Sequence, residues 1–586
     1  MTPERGEARY RGLPLSFGTT PASRPRGPAQ SGGGASREGV LVGVIVAVAL
    51  AVRLLGVARG LPYIHEWDEP FVLALVIKML IFHTLNPGVF VYPSLYLYLL
   101  LPVVYAHTLY LHAAGAPASI KDVVLAHPLI PSGYVWYINA PSFYLWARAF
   151  TALLSAATVY LVYRLGRAAF GPAVGVLAAA LLAVAPGAVY YADTVRVDAP
   201  EAFFTTAALL VGLGVLARGG RRDYVVAGLL AGLAISTKQT AVWLVPPLML
   251  AHVFNERRTA LVDARLGFML VSMAAGVLLG TPYILIRPDL VLAGQSQGMH
   301  AYGLLTSAGW GDVLHRLALN LEYLLWPTQG GDWYVVPHAG LGLLPGIAAA
   351  VGLVLGFRRR PRVQGFLVGF PLLLLFFLAR TDVFYLRNLA PVLPLAAVWA
   401  AAGAVWVWES LPLPRGSWRA AGAMAGIVIL LIGPAWESAA LASWLNRHRD
   451  TRTEAVRWLL THAPRGAGVA LDLDLAWFLP DVERLPFHVE WTDRETALAW
   501  YVKVRIDYAV VGEWNPVTAC PTIKLFPRPS YLPTVAQEAA FVPNSYPVID
   551  PTVVIVRPRA QCPRSAPANG RPAGAPVTFP ARVLQP

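Results

Sequence analysis

The chain has little of what a soluble or metal-rich protein needs. Only 14% of its 586 residues are charged, and only two are cysteine, Cys520 and Cys562. Two cysteines in the C-terminal tail leave no CxxC pair and no cysteine–histidine spacing for structural zinc. If that tail is extracytoplasmic, a disulfide between the two cysteines is favoured over free thiols. Lysine is also scarce, with five residues against forty-two arginines.

Apolar residues dominate instead. They make up 56% of the chain, the mean hydropathy is +0.53, and many runs are long enough to cross a bilayer. A polytopic membrane protein is therefore predicted, in contact with membrane lipids. The net charge of +14 does not indicate nucleic acid, because the arginines fall in short clusters between apolar runs, as the positive-inside rule describes.

Those arginine clusters give a predicted topology. Residues 1–39, rich in glycine, proline and serine, are predicted to form a disordered cytoplasmic tail. The first apolar run is interpreted as an uncleaved signal anchor, and about eleven crossings place the C-terminal tail outside. The predicted spans are 40–58, 148–166, 172–190, 199–217, 223–237, 239–254, 264–283, 339–357, 363–379, 388–409 and 418–436.

One further apolar stretch, 92–111, does not fit this alternation. Counting it as a span would put the Arg164/Arg167 loop outside, against the charge rule. The preferred alternative makes 59–147 one long external loop, whose helices at about 69–84 and 92–112 lie at the membrane interface. A second large external loop is predicted over 284–338.

The character of the sequence changes after residue 436. Helical and strand patterns alternate in DTRTEAVRWLLTHAP, GVALDLD, RETALAWYVKV and IDYAVVGEW. This alternation predicts a small extracytoplasmic α/β domain over 437–562, and residues 563–586 are predicted to be disordered.

On this topology, charged side chains from distant parts of the chain converge on the external face. Carboxylates beside lysine and arginine at headgroup depth suit a phosphate-containing amphiphile and a reacting hydroxyl. The candidates are Asp68, Glu69, Asp193, Arg196, Asp198, Lys238, Asp332, His338, Arg380, Asp382 and Arg387.

Each candidate also has a structural interpretation. Asp68 and Asp198 both precede a proline and an apolar helix, where a carboxylate caps the helix end. Asp198 can pair with Arg196, and Lys238 can be a snorkelling lysine at the end of a span. His65 and Glu69 are weak candidates for a metal, because the His-Glu-x-x-His pattern is incomplete; no cofactor is assigned, and a divalent cation stays open.

The order of these motifs carries a family resemblance. An acidic pair after the first span is followed by Tyr-Pro-x-Leu-Tyr, Arg-x-Asp-x-Pro, a Thr-Lys turn, and an Arg-x-x-x-Pro start to a late span. Over about 40–436 this resembles the GT-C glycosyltransferases of the protein O-mannosyltransferase and aminoarabinose transferase superfamily. The resemblance implies a GT-C fold in the cell membrane. It also implies inverting transfer of a sugar from a polyprenyl-phosphate donor to a lipid, glycan or protein acceptor on the extracytoplasmic side.

The resemblance further implies roles for individual residues. Asp68 matches the catalytic base and Glu69 completes the acid pair, while Asp198 with Arg196 matches a second acidic position. Lys238 matches a turn near the donor phosphate. Relatives that modify lipid A carry Lys-Pro-Pro where residues 92–94 of this chain are Tyr-Pro-Ser. This difference puts aminoarabinose transfer in doubt. It also leaves Lys238, Arg380 or Arg387 to bind the donor phosphate. Asp332 and His338 are acceptor candidates.

Two other classes of function are consistent with a polytopic protein. A transporter or flippase of a lipid-linked sugar would place polar residues at mid-bilayer in corresponding halves, whereas here they cluster at one face. A scaffold displaying the C-terminal domain would leave that charged cluster unexplained. The Trp-Trp-Asp signature of oligosaccharyltransferases is absent, which argues against en bloc oligosaccharide transfer.

Overall fold

A computed structural model shows a long helical region followed by a small mixed sheet. It describes residues 33–61, 64, 68–115, 124–126, 136–138, 140–255, 263–303, 309–325, 340–381, 386–412, 416–447, 451–472, 485–492, 496–512, 515–526 and 553–558. The helices are α1 Gly33–Leu54, α2 Asp68–Ile81, α3 Leu95–Ala113, α4 Pro141–Phe170, α5 Pro172–Ala183, α6 Pro186–Tyr190, α7 Asp198–Ala217, α8 Arg221–Ile235, α9 Val245–Phe254, α10 Ala264–Gly280, α11 Tyr283–Ile286, α12 Pro288–Tyr302, α13 Trp310–Leu325, α14 Leu343–Arg359, α15 Pro361–Ala379, α16 Leu393–Ser410, α17 Ser417–Arg447, α18 Thr451–His462 and α19 Leu498–Lys503.

Every predicted span coincides with at least one of these helices. Proline at the first helical position starts α4, α5, α6, α12 and α15, where its missing N–H costs no intrahelical hydrogen bond. The Asp263 carboxylate caps α10 by accepting from the backbone N–H groups of Arg265 and Leu266. The helical fold predicted from the apolar runs is confirmed.

The number of membrane crossings depends on which of these helices are long and apolar enough to span a bilayer. Six of the described helices, α3, α4, α7, α15, α16 and α17, are long and apolar enough to cross a membrane. A seventh span results if α5 and α6 are joined across their 56° bend. The count of about eleven, and the interfacial position of α3, stay predictions.

The predicted boundary at residue 436 does not coincide with a helix end. α17 continues to Arg447, well past that boundary. The segment 437–447 is less apolar than the span before it, but its alanine, leucine and glutamate residues are strong helix formers that prolong the helix.

The helices pack around a core formed mainly by α4, α5, α7, α8, α15 and α16. The helices α8 and α10 approach each other closely, because glycines lie at their contact. A Cβ on Gly232 would overlap the carbonyl oxygen of Met273, and one on Gly276 would overlap that of Leu229. Small residues spaced four apart, as Gly228 and Gly232 are, permit such backbone contact between membrane helices.

A second apolar cluster holds α2 and α3 against the start of α4. Val72, Leu73 and Val76 of α2 are buried with Tyr96 and Leu100 of α3. Val195 and Val197, from the segment before α7, join the same cluster. This packing brings the first residues of α2 next to the first residues of α7.

The C-terminal part confirms the predicted small α/β unit. A separate hairpin pairs β1 Val124–Ala126 with β2 Trp136–Ile138, and the strands of the unit are β3 Gly468–Asp472, β4 His488–Thr492, β5 Tyr508–Gly512, β6 Thr522–Phe526 and β7 Val553–Val556. Their sheet has the order β4-β3-β5-β7-β6, with β3 parallel to β4 and β5, and β7 antiparallel to β5 and β6. The two faces of this sheet carry separate apolar cores, one of them under α18.

Candidate functional site

Asp68 stands at the first position of α2 and faces two arginines. Its Oδ2 lies 3.2 Å from Nη1 of Arg387 and 3.4 Å from Nε of Arg196. Burial alone would raise the pKa of Asp68, but Arg387, Arg196 and Lys238 together hold it below its usual value. The lowered pKa keeps the Asp68 carboxylate charged. Its side chain is 21% exposed, so the carboxylate is accessible.

Glu69, the next residue, is placed very differently. It is fully buried, and its two oxygens accept hydrogen bonds from Nε and Nη2 of Arg148 at 2.8 and 2.6 Å. Oε1 also accepts from the backbone N–H of Val195 at 2.8 Å. Arg148 in turn donates to the carbonyl oxygens of Val57 and Arg59. Glu69 therefore anchors the start of α2 to α4 and to the segment before α7.

A third group surrounds Lys238, just after α8. Its Nζ lies 2.7 Å from Oδ1 of Asp198, 2.8 Å from Oδ1 of Asn388 and 3.5 Å from Oε2 of Glu201. The Lys238 side chain is only 2% exposed. Thr240 donates to the other oxygen of Glu201 at 2.5 Å. Lys238 thus lies between two buried acids, and Asp198 pairs with this lysine.

One short 3-10 turn, Leu386–Leu389, joins the two halves of the site. Arg387 reaches Asp68, and its neighbour Asn388 reaches Lys238. Tyr302, the last residue of α12, donates to Asn388 Oδ1 at 3.3 Å. Burial would lower the pKa of Arg387, but Asp68 and the surrounding groups raise it well above its usual value.

The structure brings together five of the sequence-predicted residues: Asp68, Arg196, Asp198, Lys238 and Arg387. Asp193 belongs to a neighbouring pair, 3.3 Å from Nη2 of Arg59. Arg380 caps the end of α15. Four predicted residues lie outside the described part of the chain, namely His65, Asp332, His338 and Asp382.

The remaining calls concern a metal and a disulfide. Within the described ranges, no group of three acidic, histidine or cysteine side chains is arranged to hold a metal ion. Both oxygens of Glu69, the weak metal candidate, are bound by Arg148. Cys520 is buried and takes part in a disulfide, while Cys562 lies outside the described residues.

Four residues of the site were not predicted: Arg148, Glu201, Asn388 and Tyr302. Arg148 and Glu201 offered a signal, since each is a charge inside an apolar span, where ionisable groups are rare and mark function. The sequence around Asn388 and Tyr302 contains no feature that marks either residue as part of a site. Their roles depend on partners far along the chain.

Chemically, the cluster offers a partly exposed carboxylate, two arginines suited to an anion, and a buried lysine–acid core. Arginine binds phosphate oxygens through two parallel N–H donors. A charged carboxylate at hydrogen-bond distance from a hydroxyl serves as a general base. The arrangement fits proton abstraction beside a phosphate ester.

Residues 144–284 match the model of a family described as dolichyl-phosphate-mannose-protein mannosyltransferase. The predicted resemblance to the GT-C glycosyltransferases is confirmed. So is the predicted enzyme class, a membrane glycosyltransferase. The matched segment contains Arg148, Asp198 and Lys238, whereas Asp68 and Arg387 lie outside it.

Several solved structures are similar to the chain. ArnT from Cupriavidus metallidurans bound to undecaprenyl phosphate is 15% identical, with a TM-score of 0.48 over 88% of this chain and 97% of its own. The Archaeoglobus fulgidus oligosaccharyltransferase in the apo form is 12% identical, with a TM-score of 0.45 over 81% and 69%. The S. cerevisiae protein O-mannosyltransferase Pmt1-Pmt2 complex bound to the sugar donor is 19% identical, with a TM-score of 0.31 over 43% and 34%. No curated protein sequence matches the chain significantly.

Proposed function

We propose that this protein transfers a sugar from a polyprenyl-phosphate donor to a hydroxyl of an acceptor, on the extracytoplasmic face of the cytoplasmic membrane and with inversion. The observation that carries the proposal is the pairing of Asp68 with Arg196 and Arg387, 3.4 and 3.2 Å away. A base and a phosphate-binding group are the two things this reaction requires. The matched family supports the lipid-phosphate donor class.

In the proposed reaction, Asp68 accepts the proton of the acceptor hydroxyl. The acceptor oxygen forms a bond to the anomeric carbon, and the bond from that carbon to the donor phosphate oxygen breaks. The electron pair leaves with the polyprenyl phosphate, whose added negative charge Arg387 and Arg196 stabilise. Because attack comes from the side opposite the leaving phosphate, the anomeric configuration inverts.

The other charged residues hold this arrangement in place. Glu69 and Arg148 fix the helix end that carries Asp68, since both Glu69 oxygens are bound. Lys238 ties α7 to the turn that carries Arg387, through Asp198 and Asn388. In this proposal Lys238 acts behind the phosphate site, and its positive charge reaches the donor through space.

The test is sugar transfer by purified protein from dolichyl-phosphate mannose and from synthetic undecaprenyl-phosphate sugars, with peptide, glycolipid and glycan acceptors. We expect Asp68→Asn to reduce the rate by about 10²-fold or more, because the base is lost while the side-chain volume is kept. Asp289→Asn is the matched control, because Asp289 lies on α12 and forms an exposed ion pair with Arg287, the residue before that helix. An Asp68→Asn enzyme as active as wild type would remove Asp68 from the mechanism.

A further inference from the structure

The charges of the site balance before any substrate is present. Around Asp68 the acids are Asp68, Asp198 and Glu201, and the cations are Arg196, Arg387 and Lys238. Lys238 lies between Asp198 and Glu201, whereas Arg196 and Arg387 share Asp68. Each of these cations is therefore already next to a carboxylate.

The two ends of this cluster differ in accessibility. Lys238 and Asp198 are each 2% exposed, so an incoming phosphate cannot reach them without disrupting the core. Asp68 and Arg387 each keep 21% of their side-chain surface exposed. An anion arriving at the site meets Arg387 first, and it competes there with the Asp68 carboxylate.

We propose that Arg387 pairs with Asp68 in the empty site and transfers to the donor phosphate on binding, which frees Asp68 to act as base. This inference rests on the proposed function. A guanidinium binds phosphate with two parallel donors, so the exchange replaces the ion pair with Asp68, at 3.2 Å, by a bidentate contact with phosphate. The base is thereby released only when a polyprenyl phosphate group occupies the site.

The electrostatics support this exchange. Three cations face Asp68: Arg387 from the 3-10 turn, Arg196 from the segment before α7, and Lys238 after α8. Tyr92, which is half-buried before α3, also interacts electrostatically with Asp68 and Arg387. Arg387 is the largest of the influences that lower the pKa of Asp68. When a phosphate neutralises Arg387, the pKa of Asp68 rises and its carboxylate becomes a stronger base.

The test measures the protonation and accessibility of Asp68 directly. Purified protein is treated at mildly acidic pH with a carbodiimide, which couples to protonated carboxyl groups, and modification of Asp68 is quantified by mass spectrometry. We expect undecaprenyl phosphate or dolichyl phosphate, added without sugar, to accelerate modification about tenfold for each unit by which the pKa rises. Asp289, on the surface of α12, serves as the internal reference.

Substitution of the arginine provides the second arm. Arg387→Met is expected to show rapid modification of Asp68 without any carrier, because the pairing is gone. Arg387→Lys keeps the charge but loses the bidentate fork, so we expect slow modification in its empty site and a weaker response to carrier. Arg457→Met, in the half-exposed pair with Glu454, is the matched control and should behave as wild type at Asp68, because it leaves the Asp289 reference unchanged.

The outcomes separate this inference from the proposed function. Carrier binding is followed in parallel by native mass spectrometry. If the carrier binds but Asp68 modification stays constant or falls, Arg387 does not release the base, and the proposed transfer reaction is unaffected. If neither polyprenyl phosphate binds, the proposed donor class is wrong, and this inference falls with it.

Discussion

Two adjacent acids in this chain have opposite environments. Glu69 is buried with both oxygens bound, whereas Asp68 is partly exposed and meets two arginines. A helix turns by about 100° per residue, so neighbours at its first turn face different surroundings. The acid pair was predictable from the sequence, and the resemblance assigns the proposed base to Asp68, but the anchoring contacts of Glu69 were not predicted.

The anchor role of Glu69 leads to a stability prediction. Glu69→Gln keeps the side-chain volume but leaves the buried Arg148 charge uncompensated, so we expect the free energy of unfolding to fall by about 3–5 kcal/mol. Denaturant unfolding in detergent micelles measures the change. Glu454→Gln is the control, because Glu454 forms a half-exposed pair with Arg457 and should shift stability by at most about 0.5 kcal/mol. Equal stability of both variants would mean that the Glu69–Arg148 pair does not hold α2.

At the scale of elements, the contact between α8 and α10 positions Lys238. α8 ends three residues before the lysine, and its glycines meet the backbone of α10. A shift of either helix is expected to move the Lys238 cluster as well, because at these glycines the two backbones are in direct contact.

Gly232→Ala tests this contact. The added methyl group would overlap the Met273 carbonyl, so we expect a loss of about 1–3 kcal/mol in stability and lower transferase activity. Gly267→Ala, on the exposed face of α10 with no atom within 4 Å of the added carbon, should be neutral or stabilising. Unfolding curves and transfer rates of the two variants give the comparison. Similar behaviour of both would show that the close approach is unimportant.

At the scale of the whole molecule, helices were predictable and long-range pairings were not. Apolar runs mark where helices form, prolines mark where several of them begin, and arginine clusters mark where spans are expected to end. The partners of Glu69 and Lys238 lie tens of residues away, Arg148 by 79 positions and Asn388 by 150. Such pairs depend on how helices pack, and local sequence carries no signal for them. Lys238 was predicted near the donor phosphate, and its enclosure between two acids could not be foreseen.

The topology behind the proposed function has its own test. Single cysteines are introduced as Asp289→Cys, in the predicted second external loop, and Arg222→Cys, in a predicted cytoplasmic cluster. A membrane-impermeant maleimide should label the first in intact cells and the second only after permeabilisation. The wild-type protein, whose Cys520 takes part in a disulfide, gives the background labelling. The reverse labelling pattern would show that the protein has the orientation opposite to the proposed one.

The glycine contact also limits how the protein can move. A slide of α8 along α10 by a whole turn, about 5.4 Å, would bring a side chain of α8 to a place where a glycine now meets the α10 backbone. Lys238 and its two acids are therefore a fixed reference while substrates enter and leave. The 3-10 turn is bonded to this cluster through Asn388, so any adjustment of the proposed site to a bulky lipid donor is expected at the partly exposed side chains of Asp68 and Arg387.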